Sequence, residues 1–318
     1  MKSQSQNRFL ATLQKYSGLL VVLIVMVVIV TIRNHNFMTL SNIVAVLRQM
    51  SIYGVMGVGM AIAIITGYFD LSAGASAGMC AMIAGMVMSR VNNALLGVLV
   101  AILVGVAIGA FNGFVVIKTG IPAFVFTLAM TQVVRGSIYL ISNGKPVAIT
   151  NRGYTAIGNG DLFGIPIMIY IMFLVMFLGW VLLNHTITGR SIYAVGGNAL
   201  GARYSGVHTE RIILFAFALC GFTSALGGVM LSAKLTSAQP TMGTGYEMDA
   251  ISVAAIGGTS LAGGEGSIGG VLLGAMILGV INNGMIMMGI SSYWQMVVKG
   301  IVIAAAVIID IARKKKGK

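Results

Sequence analysis

The side chains in this sequence that are able to make or break bonds are few and poorly spaced for it. The three histidines, His35, His185 and His208, stand far apart in polar stretches, without the short spacings that put two ligands on one metal. Cys80 and Cys220 each lie inside an apolar run and read as small hydrophobes. No GxxxxGKS occurs, so there is no glycine loop to wrap a nucleotide's phosphates. What remains is a set of ionisable groups in or beside apolar runs: Asp70, Arg135, Glu265 and Lys299. An ionisable group at membrane depth costs about 2.5–3.5 kcal/mol on insertion scales, so each must face protein, water or an interface. Groups of this kind bind, relay or pin; neither an enzyme nor a bound cofactor or metal is expected.

The elements that must position these residues are dictated by composition. Hydrophobic residues make up 58% of the chain and charged residues 8%. Apolar runs fall at 17–32, 43–66, 71–89, 94–117, 121–142, 163–184, 212–232, 249–264, 268–289 and 294–312. Each approaches the length a helix needs to cross a bilayer, and they are too long and too uniformly apolar for barrel strands. The expectation is an all-α, polytopic membrane protein of about ten transmembrane helices, with residues 1–318 forming a single domain. No room is left for a soluble catalytic domain. The net charge of +13 reflects loop cations rather than a nucleic-acid surface. Lys2, Arg8, Lys15, Lys118, Arg190, Arg203, Arg211 and the tail cations from Arg313 to Lys318 fall on one side. Arg33, Arg90, Lys145, Arg152 and Lys234 fall on the other. That bias places both termini in the cytoplasm. The first run follows Lys2, Arg8 and Lys15 as a signal sequence would, but RNHNF offers no small-residue cleavage site, so it reads as a retained helix.

Three features exceed what packing requires. In GYFDLSAGAS, residues 67–76, Asp70 stands beside Gly67 and Gly74, either as a helix cap or as a residue of a transport path. In AAIGGTSLAGGEGSIGG, residues 254–270, seven glycines follow Ile256. Each costs up to about 1 kcal/mol in a helix relative to Ala, so a broken or re-entrant helix is expected, with Gly257, Gly258, Gly263, Gly264 and Glu265 as gate candidates. Finally, Asn112-Gly113 and Arg135-Gly136 are echoed by Asn283-Gly284 and Lys299-Gly300, which suggests that helices 2–5 and 7–10 are inverted repeats. GxxxG steps at Gly105, Gly109 and Gly113, at Gly74 and Gly78, and at Gly270 and Gly274 favour close helix contact.

The longest polar interior segment, GRSIYAVGGNALGARYSG at 189–206, lies in a loop spanning 185–211. Asn198 is placed to cap a short helix after a break at Gly196-Gly197, and Gly206 to stop it. Such a helix is either a solvated connector or a prong shaped for a groove on another protein.

This segment resembles the coupling loop in permeases of bacterial ABC importers for monosaccharides, the ribose, galactose, xylose and autoinducer group, where GRxIYAxGGNxxAARxSG recurs. DLSxG, matched at Asp70, Leu71, Ser72 and Gly74, and GGTSLxGGxGSxxG, matched over 257–270, belong to the same group. The resemblance implies a ten-helix permease of the bacterial inner membrane that works as a pair, a homodimer or with a paralogue. Its implied partners are a cytoplasmic ATPase subunit, which holds the ATP and Mg²⁺, and a periplasmic solute-binding protein. It implies coupling through Gly196, Gly197, Asn198, Ala202, Arg203, Ser205 and Gly206. Where the family often has acidic residues after the Asn, this chain has Ala199 and Leu200, and Gly201 replaces the first Ala; the dock is expected to be more apolar. A sparse path past Asp70, Thr127, Gln132 and Asn283 is expected. Related permeases handle nucleosides or branched-chain amino acids, and an ion-coupled secondary transporter is the rival from another class.

Overall fold

In the computed structural model, which describes residues 2–316, the chain is almost wholly helical. The order is α1 (Lys2–Arg33), α2 (Leu40–Ile65), α3 (Ala73–Val91), α4 (Ala94–Thr119), α5 (Ala123–Ser142), β1 (Val147–Ala148), α6 (Arg152–Asn159), β2 (Asp161–Leu162), β3 (Ile165–Pro166), α7 (Ile167–His185), α8 (Ile187–Gly197), α9 (Ala199–Tyr204), α10 (Thr209–Leu235), β4 (Ser237–Ala238), α11 (Tyr246–Ile256), α12 (Ile268–Met287) and α13 (Ser292–Lys316). Among the described residues eight helices are long and apolar enough to cross a membrane: α1, α2, α3, α4, α5, α7, α10 and α12. The C-terminal run lies in α13.

The apolar run at 249–264 is not a spanning helix. Its helical part, α11, has 11 residues, about 16 Å at 1.5 Å per residue, or roughly half the hydrocarbon thickness. Non-helical backbone flanks it on both sides, at 239–245 and 257–267. A second interruption precedes α3: residues 66–72 leave the helix between α2 and α3, at the gap between the apolar runs 43–66 and 71–89.

Around these interruptions the bundle is organised on α2, whose residues from Met50 to Ile65 are all buried. The packing is reciprocal. α2 lies against α11 and α12, α10 lies against α3 and α4, and α2 and α10 lie against each other. One of the two non-helical stretches adjoins each set, 239–245 before α11 and 66–72 before α3. A short antiparallel pairing of β1 with β4 joins the sets, with Val147 opposite Ala238.

Lipid offers no hydrophobic drive for one helix to join another, so backbones must approach closely enough for dispersion and fixed dipoles to hold them. The glycines serve that need. A Cβ on Gly109 would strike the Phe217 carbonyl, and one on Gly221 the Gly105 carbonyl, so α4 and α10 are in backbone contact. Gly228 of α10 meets the Ala77 carbonyl of α3 in the same way, and Gly274 of α12 that of Val253 in α11. Gly136 on α5, by contrast, has nothing within 4 Å. Gly109→Leu is therefore expected to destabilise the bundle by about 1–3 kcal/mol or more through overpacking. Gly136→Ala should hold or raise stability, both read from thermal unfolding of the purified protein in detergent.

Candidate functional site

The loop between α7 and α10 is a jointed arm rather than a connector. Thr186 starts it, its hydroxyl accepting from the Gly189 amide at 3.0 Å. Helix α8 then runs unbroken through Gly196 and Gly197, so the expected break at this glycine pair does not occur. The glycines serve close approach: a Cβ on Gly196 would strike the Ile65 carbonyl at the end of α2 and the Gly264 amide. The break falls one residue later. Asn198 takes an extended conformation, and its side chain accepts from the Gly201 amide at 2.8 Å, capping α9. Eight residues on from Asn198, Gly206 turns at φ +85°, and the Val207 amide bonds back to the Ala202 carbonyl at 3.0 Å, a glycine-type helix stop.

The face α9 turns inward is Ala202, buried with Val195, Ile213 and Phe217. Outward it presents Ala199, Leu200, Arg203 and Tyr204; Leu200 is 68% and Tyr204 89% exposed. Two large apolar side chains thus stand exposed one turn apart on a six-residue helix, with the Arg203 guanidinium between them. Beside it opens a shallow cavity of about 350 Å³, bordered by Thr188, Ser191, Ser205, His208 and Arg211.

The arm is locked to the bundle at one seam, where three glycine segments meet. The Gly264 amide donates to the Ile65 carbonyl at 2.9 Å, Gly263 lies against Gly67 and the Gly196 carbonyl, and the Tyr193 hydroxyl donates to the Gly266 carbonyl at 2.9 Å. Burial raises the Tyr193 pKa further above its ordinary value, so that donor is retained across the physiological range. Gly258, Gly263 and Gly264 all have positive φ, and only glycine adopts such a run without strain. The structure thus brings two gate candidates, Gly263 and Gly264, onto the coupling candidates Gly196 and Gly197, while Gly257 packs on Gly270 of α12 instead. Glu265 is exposed; its backbone carbonyl accepts from the Ser260 amide at 3.0 Å.

The four path candidates do not converge. Asp70 is buried, and its Oδ1 accepts from the Ser72 amide at 2.9 Å and the Ser72 hydroxyl at 2.6 Å, with the Asn112 amide at 3.4 Å. Thr127 receives the Leu71 amide at 3.0 Å. These two residues fasten the 66–72 interruption to α4 and α5. Gln132 is on the exposed face of α5. Asn283 pairs reciprocally with Asn42 of α2 at 3.1 and 2.9 Å.

The sequence reading passes over Glu247 and Asp249. Asp249 is 2% exposed and forms an ion pair with Lys299 of α13 at 2.8 Å. Tyr246 stands beside Tyr53, whose hydroxyl receives the Asn282 amide at 2.8 Å. Both acids sit at the edge of an apolar run, and ionisable residues within a span are the signal that finds them.

A bundle of membrane helices with two interrupted crossings and a capped prong on a jointed arm has the build of a transport protein's membrane subunit. Residues 42–307 match the family described as branched-chain amino acid transport system / permease component. The chain belongs to that family. It is 43% identical over 300 residues to the ribose import permease protein RbsC of Escherichia coli, covering 92% of each. To the RbsC of Bacillus subtilis it is 41% identical, covering 98% of this chain and 97% of that protein. To the L-arabinose transport system permease protein AraH of E. coli it is 38% identical, covering 94% and 91%. No solved structure matches.

Two substitutions check the geometry. Asp70→Ala leaves the Ser72 amide and hydroxyl without their acceptor, while the Asn112 amide keeps the Ser72 hydroxyl oxygen at 2.8 Å, a loss of about 1–3 kcal/mol. Asp70→Asn keeps an acceptor oxygen and should lose less, in chaotrope titrations of the purified protein. Asn198→Ala should cost about 1 kcal/mol of local helix stability, seen as faster amide exchange confined to 199–204.

Proposed function

We propose that this chain is the permease subunit of an ATP-driven importer that passes a monosaccharide, ribose or a similar pentose, into the cytoplasm. Two copies or a copy and a paralogue form the pore, an ATPase subunit binds ATP and Mg²⁺ on the cytoplasmic side, and a periplasmic binding protein delivers the sugar. The observation that carries this reading is the arm: a capped helix with Leu200, Arg203 and Tyr204 outward, joined through Gly196 to the end of α2 and the 257–267 segment. A push on α9 acts on two elements of the bundle at once. That is what a motor outside the membrane needs in order to switch a pore between outward and inward access.

The orientation follows from the same reading: α9 faces the cytoplasm, as do both termini. Pentose is preferred over a branched-chain amino acid because the relatives at 38–43% identity carry pentose names, although the family description names the amino acids. In this scheme Gln132 faces the path, offering an amide to a sugar hydroxyl, while Asp70 and Thr127 hold the interrupted helix that flanks it.

Arg203→Glu is expected to abolish co-purification of the ATPase and ATP-dependent [¹⁴C]ribose uptake, while the permease still folds. Gln132→Leu should leave the assembly intact and lower uptake. Ribose uptake by the isolated chain in liposomes under a proton or sodium gradient, with no ATPase present, would overturn the proposal. So would competition of the uptake by leucine but not by ribose.

A further inference from the structure

The echo of Arg135-Gly136 in Lys299-Gly300 has no part in the coupling arm or in the path. In the structure both cations reach the same short stretch of chain, one from α5 and the other from α13. Arg135 Nη1, from α5, donates to the Met242 carbonyl at 2.6 Å and to the Pro240 carbonyl at 3.1 Å. Lys299 Nζ, from α13, meets both carboxylate oxygens of Asp249, at 2.8 and 3.1 Å. The stretch 240–249 is the non-helical entry to α11 together with its first turn.

The chemistry at each end explains why a cation is there. The entry turns through Gly243 and Gly245, both at positive φ; its turns satisfy the Gln239, Thr241, Gly243 and Gly245 carbonyls locally, and the Pro240 and Met242 carbonyls are the two that Arg135 takes up. In an apolar surround each unsatisfied carbonyl is costly, and a guanidinium supplies two donors in fixed geometry. The contact depends on the small residues of α3: a Cβ on Gly78 would lie 3.1 Å from Arg135 Nη1 and against the Met242 carbonyl. Asp249 is a buried carboxylate, its side chain 3% exposed. Removing Lys299 would leave it an uncompensated charge.

We infer that Arg135 and Lys299 are matched positioning residues that tie α5 and α13 to the broken helix α11, so that the three move as one body during transport. The inference rests on the permease reading above and extends it. The route for the stroke runs from α9 through α8 to the seam at Gly264, along 257–267 into α11, and from α11 through the two cations to α5 and α13. Neither cation need touch the sugar. Without them α11 would still be moved by the arm, but α5 and α13 would not follow.

Gly136 and Gly300 have nothing within 4 Å of an added Cβ, and both native cysteines are buried. Spin labels on Gly136→Cys and Gly300→Cys therefore report the separation of α5 and α13. One labelled copy diluted into unlabelled copies keeps the distance within a protomer. In the ATPase-bound permease in nanodiscs, the inter-label distance is expected to be the same without nucleotide and with ATP trapped. A change of about 5 Å, one helical turn, between the two states overturns the inference. Arg135→Met and Lys299→Met should broaden the distribution and lower ribose moved per ATP hydrolysed by about tenfold while ATP hydrolysis persists. The exchanged pair Asp249→Lys with Lys299→Asp should restore both readouts. Wild-type coupling in Lys299→Met also overturns the inference. Should these variants fail to fold, the unsubstituted cations in the doubly labelled protein decide the matter by distance alone. Loss of ribose uptake in the wild-type assembly itself would instead count against the permease reading.

Discussion

A peptide group inside a bilayer has no water to bond, so a helix can be interrupted there only where other atoms take over its hydrogen bonds. Everything unusual in this bundle follows from two such interruptions. The first, before α3, is held by Asp70, Asn112 and Thr127. The second, before α11, is held by Arg135 and the pairing of β4 with β1. Both require neighbouring backbone to come very close, and glycine is the residue that allows it. Gly74 and Gly78 of α3 face Gly243 and Met242, so one interrupted crossing is packed directly against the other.

The second consequence is mechanical. A close-packed interior transmits displacement rather than absorbing it, and the arm meets the bundle where three glycine segments leave no side chain to cushion the contact. Gly196, Gly263 and Gly264 form a backbone-to-backbone joint. A prong with an apolar exposed face and a rigid root is well suited to pass on a push. A softer joint built of long side chains would dissipate it in rotamer changes.

Much of this was legible in the residues themselves. Apolar runs of spanning length gave the class, Asn198 and Gly206 marked the ends of α9, and the run of seven glycines marked non-helical chain. Two things were not. Hydropathy counts apolar residues and is blind to where the helix stops, so 249–264 looked like a span although α11 ends at Ile256. The glycine pair at 196–197 looked like a helix break because glycine is a poor helix former. Its purpose is contact with Ile65, more than a hundred residues earlier, which no local pattern encodes. Glu247 and Asp249 were missed for a like reason, since the cation that makes Asp249 tolerable stands fifty residues away.

The burial of α2 has a consequence for how the chain is made. Its inner surface is shared with α10, α11 and α12, which leave the ribosome some 150 or more residues later. Ser51 and Tyr53, sealed from lipid in the finished bundle, must therefore wait beside the insertion machinery or in the bilayer until the second half arrives. A nascent chain arrested before Thr209 leaves α2 covered mainly by α7, and this is the form that membrane quality-control proteases would meet first.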